Sequence, residues 1–186
     1  MLWRRLSFFA LPPIVSLCVA LCYATEIMPS TLEYMTDFSD TIIIGHVNDK
    51  YSYWENKKIY TNIAIDVEKF VKSPRGETSS SIELKIPGGK VGDIGFEVDQ
   101  APVFRVGEKV MLFLRKINGN YFPYGFNYGV YQIFWDDEQK KEFINGPLFN
   151  QLEHYNLRTM QAVRNREPLG KRKLEPFLER VARLVK

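Results

Sequence analysis

IPGGKVGDIGFEVDQAPVFRVGEKVMLFL, residues 86–114, sets a glycine-punctuated loop and a Gly-Glu turn in front of one strongly patterned strand. Pro87-Gly88-Gly89 makes a tight turn, because proline fixes φ at the first corner and glycine reaches φ > 0 at the next. Gly92 and Gly95 keep the chain bending, and Gly107-Glu108 turns it into a strand running from Lys109 to Arg115. Along that strand Val110, Leu112 and Leu114 point one way and Met111 and Phe113 the other, as in a strand buried on both faces. The stretch specifies a backbone and a core and offers no reactive group.

Upstream, Ser30-Thr31-Leu32-Glu33 has the form of a capping box, and Leu32, Met35 and Phe38 follow at helical spacing. A short helix ending near Asp40 is predicted. Thr41 to Val47 is β-branched and apolar, a buried strand interrupted by Gly45 and continuing through Tyr51, Tyr53 and Trp54. Glu55-Asn56-Lys57-Lys58 is a turn. Ile59, Thr61, Ile63, Ile65 and Val67 then alternate with polar neighbours, the signature of a strand with one wet face. Ser73-Pro74-Arg75-Gly76 and Ser79-Ser80-Ser81 form a polar loop, after which Ile82, Leu84 and Ile86 alternate into the glycine loop.

Downstream, Asn118-Gly119-Asn120 joins the 110–116 strand to 121–126 in a hairpin. Strands at 130–135 and 141–144 flank the acidic turn Asp136-Asp137-Glu138. Past Gly146-Pro147 the period changes: Leu148, Leu152, Tyr155, Met160 and Val163 predict one helix, and Leu174, Phe177, Leu178, Val181, Leu184 and Val185 a second, with Pro176 tolerated in its first turn. Six or seven strands followed by helices give a mainly β, α+β architecture. The expected division is a leader at 1–24, a β domain at 25–146 and a basic helical extension at 147–186.

Arg4 and Arg5, the apolar run from Leu6 to Leu21 and Cys22-Tyr23-Ala24 read as an export signal cleaved near Ala24, with an uncleaved membrane anchor as the rival. Both cysteines, Cys18 and Cys22, lie in that segment, so the mature chain would hold no thiol and no disulfide. A periplasmic or secreted protein stabilised by packing alone is expected; its roughly 160 residues are enough for one sizeable core. Without the leader 23 basic residues face 22 acidic ones, yet from Arg158 onward the count is nine against three. That basic tail could contact a membrane surface peripherally or fold back on its own acidic body. Nucleic acid is not an expected partner of an exported chain.

Several segments taken in order carry a resemblance. These are Thr41-Ile42-Ile43-Ile44-Gly45-His46-Val47, the alternating strand ending in Phe70-Val71-Lys72, the 87–95 glycine loop, Ala101-Pro102 with Phe104, and Gly107-Glu108 before the 110–114 strand. From Ser39 to about Asp136 the chain resembles a family of exported bacterial proteins built on one small β-barrel. The resemblance implies an antiparallel OB-like barrel, more distantly similar to netrin and metalloproteinase-inhibitor modules. It implies no activity, since the family has none assigned. The inhibitors place a disulfide-bonded N-terminal cysteine on the protease zinc, and a mature chain without cysteine departs from that mechanism. What carries over is the idea that loops at one end of a barrel cover a partner's cleft.

Thiol catalysis needs a cysteine the mature chain lacks, and neither His46 nor His154 has a partner at metal-ligand spacing. No nucleophile-elbow context surrounds a serine. Asp93, Glu97 and Asp99 lack the regular spacing of a calcium loop and read as a solvated acidic loop. No cofactor or metal is expected. The candidate binding surface is aromatic: Phe122, Tyr124, Phe126 and Tyr128 as one strand face, joined by Tyr53 and Trp54, able to stack on a sugar, peptide or protein if open to solvent. The expected function is a non-enzymatic binding module of the cell envelope, engaging a protein or polymer. The alternative is an inhibitor or accessory of an extracellular hydrolase, or a hydrolase.

Overall fold

The computed structural model describes residues 31–74, 79–146, 154–156, 161–163 and 170–185. The proposed leader and the centre of the polar serine loop lie outside these residues. The chain begins with α1 (Leu32–Phe38), whose first turn is capped by Thr31, its hydroxyl accepting from the Tyr34 N–H at 3.2 Å. The cap thus falls one residue later than the capping box predicts. At the other end the Lys72 ammonium donates to the Thr36 and Asp37 carbonyls at 2.7 and 3.3 Å, a cation where the helix dipole favours one.

Two long strands follow, β1 (Thr41–Glu55) and β2 (Lys58–Lys72). Asn56 and Lys57 join them with φ of 48° and 63°, the paired positive values of a two-residue hairpin turn that matches strand twist. Next come β3 (Ser81–Pro87), β4 (Gly89–Val91), β5 (Ile94–Phe96), β6 (Lys109–Ile117) and β7 (Asn120–Pro123). A 3₁₀ turn (Phe126–Gly129) leads to β8 (Val130–Asp136) and β9 (Lys141–Asn145). The described chain closes with β10 (His154–Asn156), β11 (Gln161–Val163), β12 (Arg172–Lys173) and α2 (Leu174–Leu184). All seven strands expected from the sequence are present, and the fold is mainly β with one large sheet and two helices.

The eight-stranded sheet runs β1-β2-β3-β7-β6-β8-β9-β12, and β1 also pairs with β6. Following neighbours from β1 through β2, β3, β7 and β6 therefore leads back to β1. All these pairings are antiparallel except the single parallel bridge Leu84–Tyr121 between β3 and β7. Gly45 sits where β1 is flanked by both β2 and β6, beside a register shift, and a Cβ there would lie 2.4 Å from the Asp66 carbonyl oxygen. Only a residue without a side chain admits that close strand approach.

The alternation of β6 divides two cores. Val110, Leu112 and Leu114 join Ile43, Val47, Ile63, Ile65, Leu84 and Phe104; Met111 and Phe113 join Ile42, Ile44, Tyr131 and the helices. On the helical side Leu174, Phe177 and Val181 of α2 are buried, with the Phe177 ring 5.4 Å from that of Tyr131. Arg180 of α2 meets Glu33 of α1 at 2.8 Å. Burial raises the Glu33 pKa, but the hydrogen bonds and charge of Arg180 outweigh it, so the carboxyl titrates below its usual range. The apolar stripe of α2 thus covers the sheet.

Two sequence expectations need correction. The glycine loop is not merely a turn: Val91 and Ile94 flank Gly92-Asp93, and Gly92 at φ 61° turns β4 back onto β5. The helix expected across 148–163 is also not what its described residues, 154–156 and 161–163, form. His154 pairs with Val163, Tyr155 with Ala162 and Asn156 with Gln161 as an antiparallel ladder. The apolar stripe from Tyr155 to Met160 spans five positions rather than three or four, so it slips off a helix face, and the antiparallel pairing satisfies the backbone of 154–156 and 161–163 instead. Leu148, Leu152 and Met160 lie outside the described residues.

Candidate functional site

The six aromatic candidates do not form one surface. β7 ends at Pro123 and Gly125 takes a left-handed conformation, φ 55°, so the strand alternation that would align Phe122, Tyr124 and Phe126 stops after the first of them. Phe122 lies half-buried opposite Arg115. Tyr124 is 4% exposed in the helix-side core, its ring 6.3 Å from Tyr34, while Phe126 is exposed and Tyr128 packs half-buried against the same core. Burial, together with hydrogen bonding to Tyr34, pushes the Tyr124 phenol up to about 12.

A stability prediction follows from Tyr124. An unfolded tyrosine releases its proton near pH 10, so between about pH 10 and 12 the folded state holds a proton that the unfolded chain has lost. Stability therefore falls as pH rises through that window. In urea unfolding series, Tyr124→Phe is expected to show a shallower loss than wild type above about pH 10, and equal slopes would contradict the assignment.

Tyr53 and Trp54, adjacent on β1, point to opposite faces. Tyr53 lies with Tyr51 and Tyr60, ring centroids 5.9 and 6.3 Å away, on the face where Lys85 covers the Tyr60 ring at 4.5 Å and pairs with Glu55. Its bond to Glu55 keeps the Lys85 pKa above the ordinary value. Trp54 pairs with Ile59 on the other face, as does Ser52 with Thr61, and this second face borders a cleft.

That cleft, about 810 Å³, lies between the distal β1–β2–β3 strands and the segment 87–104. Ile63, Ile86, Val98, Pro102 and Phe104 line it with apolar surface, and Lys50, Lys90 and Glu97 add charge. A chain of hydroxyls joins one wall to β4. The Thr61 hydroxyl donates to the Gly88 carbonyl at 2.7 Å, and the Ser52 and Thr61 oxygens lie 2.9 Å apart. Because the Thr61 proton is used on Gly88, Ser52 donates to Thr61, and it accepts from the Lys90 N–H at 3.3 Å. A Cβ at Gly89 would lie 2.2 Å from the Thr61 oxygen and 2.4 Å from that of Ser52, so glycine is what lets β4 approach these hydroxyls.

The cleft's rim is unusually apolar for a solvent-facing surface. Phe96 and Val103 line it and are 48% and 81% exposed, with Ile94 and Val106 exposed on the adjoining segments. Sequence reading missed this site because its residues are scattered over five strands and a loop. The available signal was Ile94-Gly95-Phe96, an apolar alternation beyond a two-residue Gly-Asp turn.

His46 lies 3.9 Å from Glu68 beside an ion-pair cluster in which Lys109 reaches Glu68 at 2.9 Å and Glu142 at 3.0 Å. Burial pulls the Lys109 pKa down, and its bonds to both carboxylates overcome that, leaving it raised. The cluster ties β2, β6 and β9 together. Among the described residues no three His, Cys, Asp or Glu side chains gather in a way that could hold a metal ion, and no helix is long and apolar enough to cross a membrane. No family model matches the chain, and no curated protein matches it.

Proposed function

We propose that the chain is an exported, non-enzymatic protein-binding module of the cell envelope whose partner seats over the cleft between the β1–β2–β3 strands and the 87–104 segment. The observation that carries this reading is the concentration of solvent-facing apolar side chains around one cleft, Phe96 and Val103 on its walls and Ile94 beside it. Patches of that kind mark contact surfaces. Aliphatic groups such as Val103 and Ile94 favour a protein over a sugar polymer, because a sugar face needs flat rings to stack on. The Ser52 hydroxyl, the one best placed in the cleft to act as a nucleophile, gives its proton to Thr61 rather than to a base, which favours binding over hydrolysis.

The strand circuit β1-β2-β3-β7-β6 with its parallel β3–β7 contact supports an OB-like barrel as the scaffold. Export rests on the basic and apolar character of residues 1–24. A photo-crosslinking residue at Val103, irradiated in envelope extract, is expected to trap a discrete protein that the same residue at Glu138, in the β8–β9 turn and outside the cleft lining, does not. Identical products from both positions, or products from Glu138 alone, would overturn the reading.

A further inference from the structure

We propose that the partner enters as an extended peptide that adds a strand to the outer edge of β5, laying alternate side chains into the adjoining cleft. This rests on the protein-binding reading above. β5 is hydrogen-bonded to β4 alone among the described residues, so one side of its backbone lacks a ladder neighbour. Its sequence, Ile94-Gly95-Phe96, is short but carries none of the chemical guards of a strand edge: no proline, no lysine, no inward charge. The contrast within the molecule is one of charge, since the similarly short strand that ends the large sheet, Arg172–Lys173, is doubly charged.

Three further observations fit an added strand. Ile94 and Phe96 are 57% and 48% exposed, an apolar surface on the hairpin that a second strand would cover. A Cβ at Gly95 would meet nothing within 4 Å, so the face of the hairpin at the middle of the strand is open for a cross-strand side chain. Gly95 and Phe96 also line the cleft, which places pockets for alternate side chains beside the same edge that offers main-chain hydrogen bonds. A second copy of the chain is the weaker occupant. Two three-residue strands pairing edge to edge bury far less than the roughly 1,000 Å² a stable interface needs, and they leave the cleft unfilled.

The test starts from a display library of twelve-residue peptides selected on the whole chain without its leader. An enriched peptide is then resynthesised with N-methyl groups at each position in turn, and amide exchange is followed at Ile94, Gly95 and Phe96. The expected result is at least a tenfold loss of affinity at every second position, slowed exchange at β5, and a similar loss in Gly95→Lys but not in Glu138→Lys. Gly95→Lys is informative because the open space at this position leaves the fold intact, which a circular dichroism spectrum matching wild type checks. Binding that tolerates N-methylation at all positions, with β5 exchange unchanged, overturns strand addition and leaves the protein-binding reading standing. No enriched peptide overturns both. Self-association abolished by Gly95→Lys, without peptide binding, assigns the edge to a second copy and overturns the proposal.

Discussion

Phe113→Ala is expected to cost about 3–5 kcal/mol, the range for emptying a fully buried aromatic site. The Phe113 side chain is 0% exposed and sits among Ile42, Ile44, Met111 and Tyr131, its ring 5.5 Å from that of Tyr131. The cluster continues through Tyr131 to Phe177, so the ring lies at the junction of the sheet with its helical cover. Loss of about 4 kcal/mol from a domain stable by about 5–15 kcal/mol lowers the urea midpoint by roughly 2 M with the slope unchanged. A shift below about 0.5 M would mean that this side of β6 is not the packed core described.

Gly45→Ala is the second large effect, and its cause is backbone rather than volume. The new methyl would lie 2.4 Å from the Asp66 carbonyl oxygen and 2.8 Å from the Ile65 side chain. The oxygen belongs to the facing strand and cannot rotate away, so β1 and β2 must part at the point where β1 also pairs with β6. A loss of about 3 kcal/mol is expected, at the upper end of overpacking costs. Gly92→Ala provides a useful contrast: no atom lies within 4 Å of its added Cβ, and the penalty there is confined to the positive φ of 61°. Equal midpoints for Gly45→Ala and wild type would contradict the close strand approach.

How much of this was legible depended on whether the signal was local. The alternation of Val110 to Leu114 announced two buried faces, and the two cores partition those residues as their order demands. Gly45 stood out as a break in a β-branched run, although what makes glycine necessary there is a carbonyl from residue 66, which no local pattern shows. The β4–β5 hairpin was hidden because glycine density reads as turn, and strands of three residues are too short for periodicity to register. The aromatic stripe failed for a related reason: counting every second residue past Pro123 assumes a strand that Gly125 ends. At the C-terminus, helical spacing predicted α2 correctly and misjudged 154–156 and 161–163, where backbone pairing won over an irregular stripe.

The cleft was the least legible feature. Ser52, Thr61 and Lys90 are ordinary polar residues in sequence, and they become one hydroxyl chain only because β1, β2 and β4 meet. The exposed Ile94, Phe96 and Val103 gain meaning only beside that cleft, since single apolar residues at the surface need no explanation.

The most direct test of the proposed recognition surface is an amide chemical-shift map of the chain from residue 25 onward titrated with the protein trapped at Val103. The account predicts that the perturbed amides concentrate at residues 50–52, 61, 86–98 and 101–104. Perturbations centred instead on α2, or on Tyr124 and Tyr128, would contradict it.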